Sequence, residues 1–299
     1  MDMHAGQLAV SAATVRALVD EQFPQWRALP INAVGGHGTV NAIFRIGVRL
    51  AARFPLEADE TADVVRDQLL IEARAARQLA GRTRFPTPDP VALGEPGAGY
   101  PLPWSVQTWL HGTVATEQDP GESRYFARDL AEFISSVRAI DTGGSSFAGH
   151  GRGGDLKTHD DWIRTCLERS RGLLDVAALQ RMWAALRELP RGNTADVMAH
   201  GDLMPGNLLV SGDRLAGVLD VGGLAPADPA LDLVCAWHLL EPGPRRVLRE
   251  RLGCDDLQWQ RGRAWAFQQA MGLVWYYADS NPVMSQIGRR TLGRLAEPA

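Results

Sequence analysis

"HGDLMPGNLLVSGDRLAGVLDVGG", residues 200–223, places an Asp and an Asn five positions apart and a second Asp thirteen positions further on. Between the last two, "NLLV" and "LAGVLDV" read as short apolar strands turned by "SGDR", whose Gly and Asp are turn formers. A hairpin of this length returns Asp220 to the neighbourhood of Asn207. Pro205 and Gly206 mark a short loop just after Asp202. The stretch thus gathers two carboxylates and an amide oxygen at one end of a small ribbon. Such hard oxygen ligands suit Mg²⁺, which keeps several waters and shares its coordination with substrate phosphates. Each residue alone has a plainer reading, because Asp and Asn favour turns and helix caps. Their joint spacing between apolar runs is what that reading does not explain.

The rest of the chain bounds this chemistry. At 299 residues it is long enough for a full core, and the length favours about two domains. The net charge of −4 mixes both signs without a long basic run, which argues against nucleic acid as a partner. Cys166, Cys235 and Cys254 form no C-x-x-C pair, the pattern of reduced thiols in a cytoplasmic protein. The opening "MDMHAGQLAV" lacks a secretory signal's basic region and long apolar core. No apolar run approaches the roughly 18–20 residues that span a bilayer. The expectation is a cytoplasmic protein with no membrane contact.

Residues 11–28 open with a capping Ser and continue with helical apolar spacing. Strand-like runs follow around 31–36, 41–47 and 50–56, punctuated by Gly35, Gly36, Gly38 and Gly47. Residues 60–81 read as a helix with Val64, Val65, Leu69, Ile71, Ala75, Ala76 and Leu79 on its apolar face. "FPTPDPVALGEPGAGYPLP" reads as a Pro-rich loop leading into "WSVQTWLHG", a buried strand. Long amphipathic helices then occupy 122–140 and 158–188, separated by a loop at 143–154 with six glycines. Strand signals return only near 197–221, and helices resume from about 229. The expected boundary lies near 110–112. It separates a sheet-rich part, residues 1–111, from a mainly helical part, residues 112–299.

H-G-D-L-M-P-G-N has the H-x-D-x-x-x-x-N form of a kinase catalytic loop, and Asp220 with Gly222 stands where a D-x-G metal-binding element belongs. With Gly rather than Arg after the His, the set resembles the aminoglycoside phosphotransferase family. "LDVGGLAPADPALDL" is similar to that family's second signature, a metal Asp followed by D-P-x-x-D-L. "GTVNAIFRIG", "AARFPL" and "YPLPWSVQTWLHG" resemble its N-terminal segments, and "RGRAWAFQQAMGLVWYYADSNP" its C-terminal helices. The resemblance runs from about residue 30 to 295. It implies an α+β, bilobal protein-kinase-like fold, with a small antiparallel sheet lobe carrying a helix and a larger helical lobe.

Carried over by position, the resemblance implies that Asp202 orients the acceptor hydroxyl and accepts its proton. Asn207 and Asp220 would hold Mg²⁺ against the phosphates of ATP or GTP. His200 and Asp232 would brace the catalytic loop. Arg53 stands where kinases usually carry a Lys to the α/β-phosphates, with Glu72 as its ion-pair partner. Arg for Lys keeps the charge but changes its geometry. Gly36 and Gly38 belong to a loose version of the Gly-rich phosphate loop. The backbone of Gln107, Thr108 and Trp109 would meet the purine.

The implied activity is transfer of a γ-phosphoryl group to a hydroxyl of a small molecule, by a monomer or homodimer. An aminoglycoside acceptor, and hence antibiotic resistance by modification, is the first expectation. A polycation of that kind wants carboxylates, and the helical part offers Glu117, Asp119, Asp155, Asp160, Asp161, Glu241, Asp255 and Asp256. Tryptophans there, Trp162 and Trp275 among them, equally suit a more apolar acceptor such as a macrolide. Peptide or nucleoside antibiotics and metabolites stay open. Two readings of other classes are a nucleotide-binding pseudokinase without turnover and a metal-dependent hydrolase.

Overall fold

The computed structural model describes residues 8–35, 41–57 and 59–297. Gly36, Gly38 and His37 lie outside the described residues. The chain divides into two compact units, Met1–Ala80 with Pro86–His111, and Gly81–Phe85 with Gly112–Ala299.

The first unit begins with helix α1, Ala12–Gln22, where Ser11 Oγ accepts the Thr14 N–H at 3.0 Å. The expected helix over 11–28 stops at Gln22. Pro24 drives the residue before it out of helical geometry, and Pro24–Trp26 continues as a 3₁₀ turn. Strands β1 (Ile31–Ala33), β2 (Asn41–Ile46) and β3 (Leu50–Pro55) follow, then helix α2 (Ala62–Leu79), β4 (Pro90–Gly94) and β5 (Trp104–Thr108). All five strands pair antiparallel in the order β1-β2-β3-β5-β4. Strand β4 lies inside the stretch read as a loop. It is an edge strand beginning at Pro90, the setting in which a sheet tolerates proline.

One face of this sheet is a core of Phe44, Ile46, Phe54, Trp104 and Val106 with Leu18, Val65 and Leu69. Phe54 stacks on Trp104 with ring centroids 4.8 Å apart. The apolar face of α2 is narrower than its composition implies. Val65, Leu69, Ala75, Ala76 and Leu79 are buried, while Val64 and Ile71 are 47% and 58% exposed. Seven residues make almost two turns, so Val64 and Ile71 share a line about 120° from the stripe through Val65, Leu69 and Ala76.

The second unit is mainly helical. Its elements are β6 (Thr113–Val114), α3 (Arg124–Arg138), α4 (Asp160–Arg169), α5 (Val176–Leu186), β7 (Val197–Ala199), β8 (Leu208–Ser211), β9 (Arg214–Val218), β10 (Ala225–Ala227), α6 (Cys235–His238), α7 (Pro242–Leu252), α8 (Asp256–Tyr276) and α9 (Pro282–Ala296). The order β6-β8-β9 makes one small sheet, and β10 pairs antiparallel with β7 as another. Neither β6 nor β10 is legible as a strand. One has two residues, and the other carries Pro226 in a two-stranded ribbon where every strand is an edge. Helix α8 is apolar on most sides, with Trp265, Ala266, Phe267, Ala270, Met271 and Val274 fully buried.

Two buried carboxylates tie the unit together. Asp228 sits between Arg261, whose Nη2 is 2.6 Å away, and the Trp265 Nε1, at 3.0 Å. Asp129 on α3 accepts from Arg84 at 2.9 Å and from Arg214 on β9 at 2.6 and 2.7 Å. That pairing fastens the short segment 81–85 to this unit. Cys166, Cys235 and Cys254 are buried thiols. Among the described residues no helix is long and apolar enough to cross a membrane.

Candidate active site

The β8–β9 hairpin does what its sequence length requires. Leu208 pairs with Val218, and one residue beyond each the Leu219 N–H donates to the Asn207 carbonyl at 2.7 Å. Asp220 follows at once and sits in left-handed backbone, φ 53° and ψ 52°. A non-glycine residue there costs energy that other contacts must offset, a pattern that clusters at functional sites. Asp220 and Asn207 are thereby brought to the same end of the ribbon.

The loop before them is braced from α6's approach. Asp232, 2% exposed, accepts the His200 N–H on one carboxylate oxygen and the Gly201 N–H on the other, each at 2.8 Å. Gly201 has φ +82°, where a β-carbon would be strained. His200 is 1% exposed. Its Nδ1 accepts the Asp202 N–H at 3.3 Å, so the ring proton sits on Nε2 and is donated to the Leu219 carbonyl at 3.0 Å. One imidazole thus locks the Asp202 loop to the strand end that carries Asp220.

The Asp202 carboxylate is held from three directions. Asn207 Nδ2 donates to the Asp202 Oδ2 at 2.9 Å and to the Asp202 backbone carbonyl at 2.9 Å. Arg152 Nη2 reaches Oδ1 at 3.0 Å, and Gln269 Nε2 reaches the same oxygen at 2.6 Å. Burial works to raise this carboxyl, but the Arg152 charge and the bonds from Arg152 and Gln269 outweigh it and hold it below the usual carboxylate range. The side chain keeps 40% of its surface exposed. It is an ionised, oriented acceptor open to solvent.

Neither Arg152 nor Gln269 was a sequence candidate. Arg152 lies in the loop of six glycines, five of which have positive φ. The end of that loop is anchored by Gly153, whose carbonyl takes the Asp228 N–H at 2.8 Å, and Gly154, whose carbonyl takes an Arg261 N–H at 3.0 Å. A lone charged side chain in a glycine loop is the only signal that pointed to it. Gln269 lies mid-helix and carries no signal of its own.

In the first unit, Arg53 on β3 and Glu72 on α2 meet at 3.0 Å, Nη1 to Oε2. Arg53 is 13% exposed and Glu72 35%. The Thr108 N–H donates to the Asp89 carbonyl at 2.9 Å and the Trp109 N–H to the Arg49 carbonyl at 2.7 Å. Both donors are engaged within the sheet, and Gln107 pairs with Ala51 and Pro90.

The donor set suits Mg²⁺ of the kinase kind. Among the described residues no three His, Cys, Asp or Glu cluster as a metal site. With its Nδ2 donating to Asp202, Asn207 has its Oδ1 as a ligand oxygen, and the exposed Asp220 stands at the same end of the β8–β9 hairpin. One or two protein oxygens completed by phosphates and water is how Mg²⁺ ordinarily binds.

This sheet-and-helix architecture is shared with solved kinase-like phosphotransferases. The GDP complex of wild-type aminoglycoside 2'-phosphotransferase-IIIa aligns with a TM-score of 0.70 at 18% identity, over 96% of this chain and 99% of that one. The macrolide 2'-phosphotransferase apoenzyme from Brachybacterium faecium aligns with a TM-score of 0.59 at 18% identity, over 96% and 98%. An Escherichia coli aminoglycoside 3'-phosphotransferase is 24% identical over 171 residues, which cover 51% of this chain and 59% of that protein. The chain therefore spans about three-fifths of the length of the curated relative it matches. Residues 36–266 match the phosphotransferase enzyme family, and the chain belongs to that family.

Proposed function

We propose that the protein transfers the γ-phosphoryl group of ATP or GTP to a hydroxyl of a small molecule. The observation that carries this reading is the ionised Asp202 carboxylate, oriented by three donors of which Asn207 is one, with Asp220 at the same end of the hairpin as Asn207. The acceptor oxygen forms a bond to the γ-phosphorus as the bond to the bridging oxygen breaks. The hydroxyl proton passes to Asp202, and the nucleoside diphosphate leaves. Asn207 and Asp220 would hold Mg²⁺, which when bound neutralises charge on the phosphates. Arg53, steadied by Glu72, would contact the nucleotide phosphates, and Gly36 and Gly38 would add backbone donors. The rate would come from positioning and charge placement, since phosphoryl transfer needs little covalent help. The reaction would use cytoplasmic nucleotide.

An aminoglycoside acceptor is supported by the names of the relatives: one solved structure holds kanamycin with GDP. A second reading, an uncharged acceptor such as a macrolide, has an observation of its own. Most acids that would attract a polycation are engaged with arginines: Asp119 with Arg290, Asp160 with Arg187, Asp161 with Arg164, Glu241 with Arg294 and Asp256 with Arg249. Asp155 and Asp255 cap helices. Trp162, meanwhile, is exposed.

Incubation with Mg²⁺, ATP or GTP and a panel of aminoglycoside, macrolide, peptide and nucleoside acceptors, read by mass gain, tests both readings. Mass gain in one class, absent with Asp202→Ala, is the expected result. Undiminished turnover by Asp202→Ala overturns the assignment. Nucleotide binding without any product favours a pseudokinase, and phosphate release independent of acceptor favours a hydrolase.

A further inference from the structure

Behind Gln269 a line of buried polar groups leads away from the active carboxylate. The Gln269 Oε1 lies 3.1 Å from the His238 Nε2, and the His238 Nδ1 lies 2.9 Å from the Thr291 Oγ1. Thr291 Oγ1 is also 2.8 Å from the Ile287 carbonyl. His238 is 4% exposed and Thr291 fully buried. Three elements contribute: α6, α8 and α9.

Hydrogen-bond accounting gives this line a direction. An ionised Asp202 can only accept, so the Gln269 amide must turn its NH₂ towards it and its carbonyl oxygen towards His238. That carbonyl can only accept, so the His238 Nε2 must carry the proton. Burial pushes this imidazole down to about 4, against the bond from Gln269, so at neutral pH it holds a single ring proton. The Nδ1 is then a bare acceptor, and the single Thr291 hydroxyl proton must point to it rather than to the Ile287 carbonyl. Every proton in the line points at Asp202, an arrangement in which successive bonds polarise one another.

We propose that Thr291, His238 and Gln269 form a directional positioning relay that orients the Asp202 carboxylate, with the Nε2–H tautomer of His238 as its lock. The roles assigned to Asp202 under phosphoryl transfer rest on the reading above, but the relay does not. His238 and Gln269 are positioning residues, since neither meets the reacting atoms. With Oδ1 accepting from Gln269 and Arg152 and Oδ2 from Asn207 alone, Oδ2 is the oxygen with room for an acceptor hydroxyl.

The tautomer itself is the test. In ¹⁵N-histidine NMR of the full chain, the signals missing from His238→Phe identify the residue. Wild type should show the neutral Nε2–H form. Gln269→Leu removes the acceptor that fixes the proton on Nε2, so His238 should move to the Nδ1–H form, donating to Thr291 while Thr291 returns its proton to the Ile287 carbonyl. An Nδ1–H form in wild type, or an Nε2–H form unchanged in Gln269→Leu, overturns the relay. In the activity arm, Gln269→Leu should lower kcat about 10- to 100-fold, the usual cost of losing a group that orients a reacting ligand, and leave the nucleotide KM unchanged. An equal rise in KM, or no change in kcat, counts against a positioning role. If no acceptor is ever phosphorylated, the phosphotransferase reading fails while the NMR result still decides the relay.

Discussion

Arg261–Asp228 and Arg152–Asp202 are the same chemical pair in two settings. In the first, both side chains are 3% exposed. Asp228 also accepts from Trp265 and from the Ala230 N–H, and Arg261 donates to the Leu189 and Gly154 carbonyls. In the second, the Arg is 22% exposed and the Asp 40%. The enclosed pair, with its other valences satisfied, organises the interior. The open pair leaves two-fifths of the Asp202 side-chain surface exposed, so its charge is available for chemistry. The two are also connected, because Arg261 and Asp228 hold the glycine loop end from which Arg152 reaches Asp202.

The same substitution made in each pair should therefore give opposite readouts. Arg261→Met leaves the buried Asp228 with only the longer Arg191 contact, at 3.6 Å, as an ion-pair partner, and should cost about 3–5 kcal/mol in urea or thermal unfolding. Turnover should fall only as far as the fold does. Arg152→Met should change stability by less than about 1 kcal/mol, as for other exposed pairs. It should nevertheless reduce turnover about 100-fold, the scale of losing one preorganised charged donor. If both variants lose stability equally, the distinction collapses.

Asp129 offers an intermediate case, buried itself but paired with arginines that are half exposed. Burial raises its carboxyl, but the Arg214 bonds, the Leu215 N–H and Arg84 together hold it below the ordinary range. A lowered folded-state value stabilises above the unfolded value and loses that contribution as pH falls through the folded one. Asp129→Asn should cost about 1–2 kcal/mol at neutral pH. Its melting temperature should converge on wild type below about pH 4, where the unfolded carboxyl begins to protonate. The smallest effect is expected in the first unit. Arg53→Lys keeps the charge facing Glu72 and loses one arm of the fork, so nucleotide affinity measured by calorimetry should fall by about tenfold or less.

How much of this was legible depended on whether a residue's neighbours lie along the chain. The Asp202 loop and the hairpin were readable because short spacings and regular elements determine them, and the Arg53–Glu72 pair because the family resemblance implies it. Strands β4 and β10 were hidden by prolines that only an edge position permits. The exposure of Val64 and Ile71 follows from which line of α2 meets the sheet, which composition does not reveal. Arg152 and Gln269 meet Asp202 across 50 and 67 residues through a glycine loop and a helix. No periodicity announces such a meeting; only the packed tertiary structure supplies it.

The left-handed backbone at Asp220 bears on how this chain could be improved. Glycine adopts that conformation without the β-carbon's steric penalty, and relieving it is worth about 1 kcal/mol. An engineer screening for heat resistance alone would be drawn to Asp220→Gly. That variant would trade a carboxylate of the candidate site for comfort in the fold, so a screen blind to activity would select against the very position where the molecule accepts discomfort.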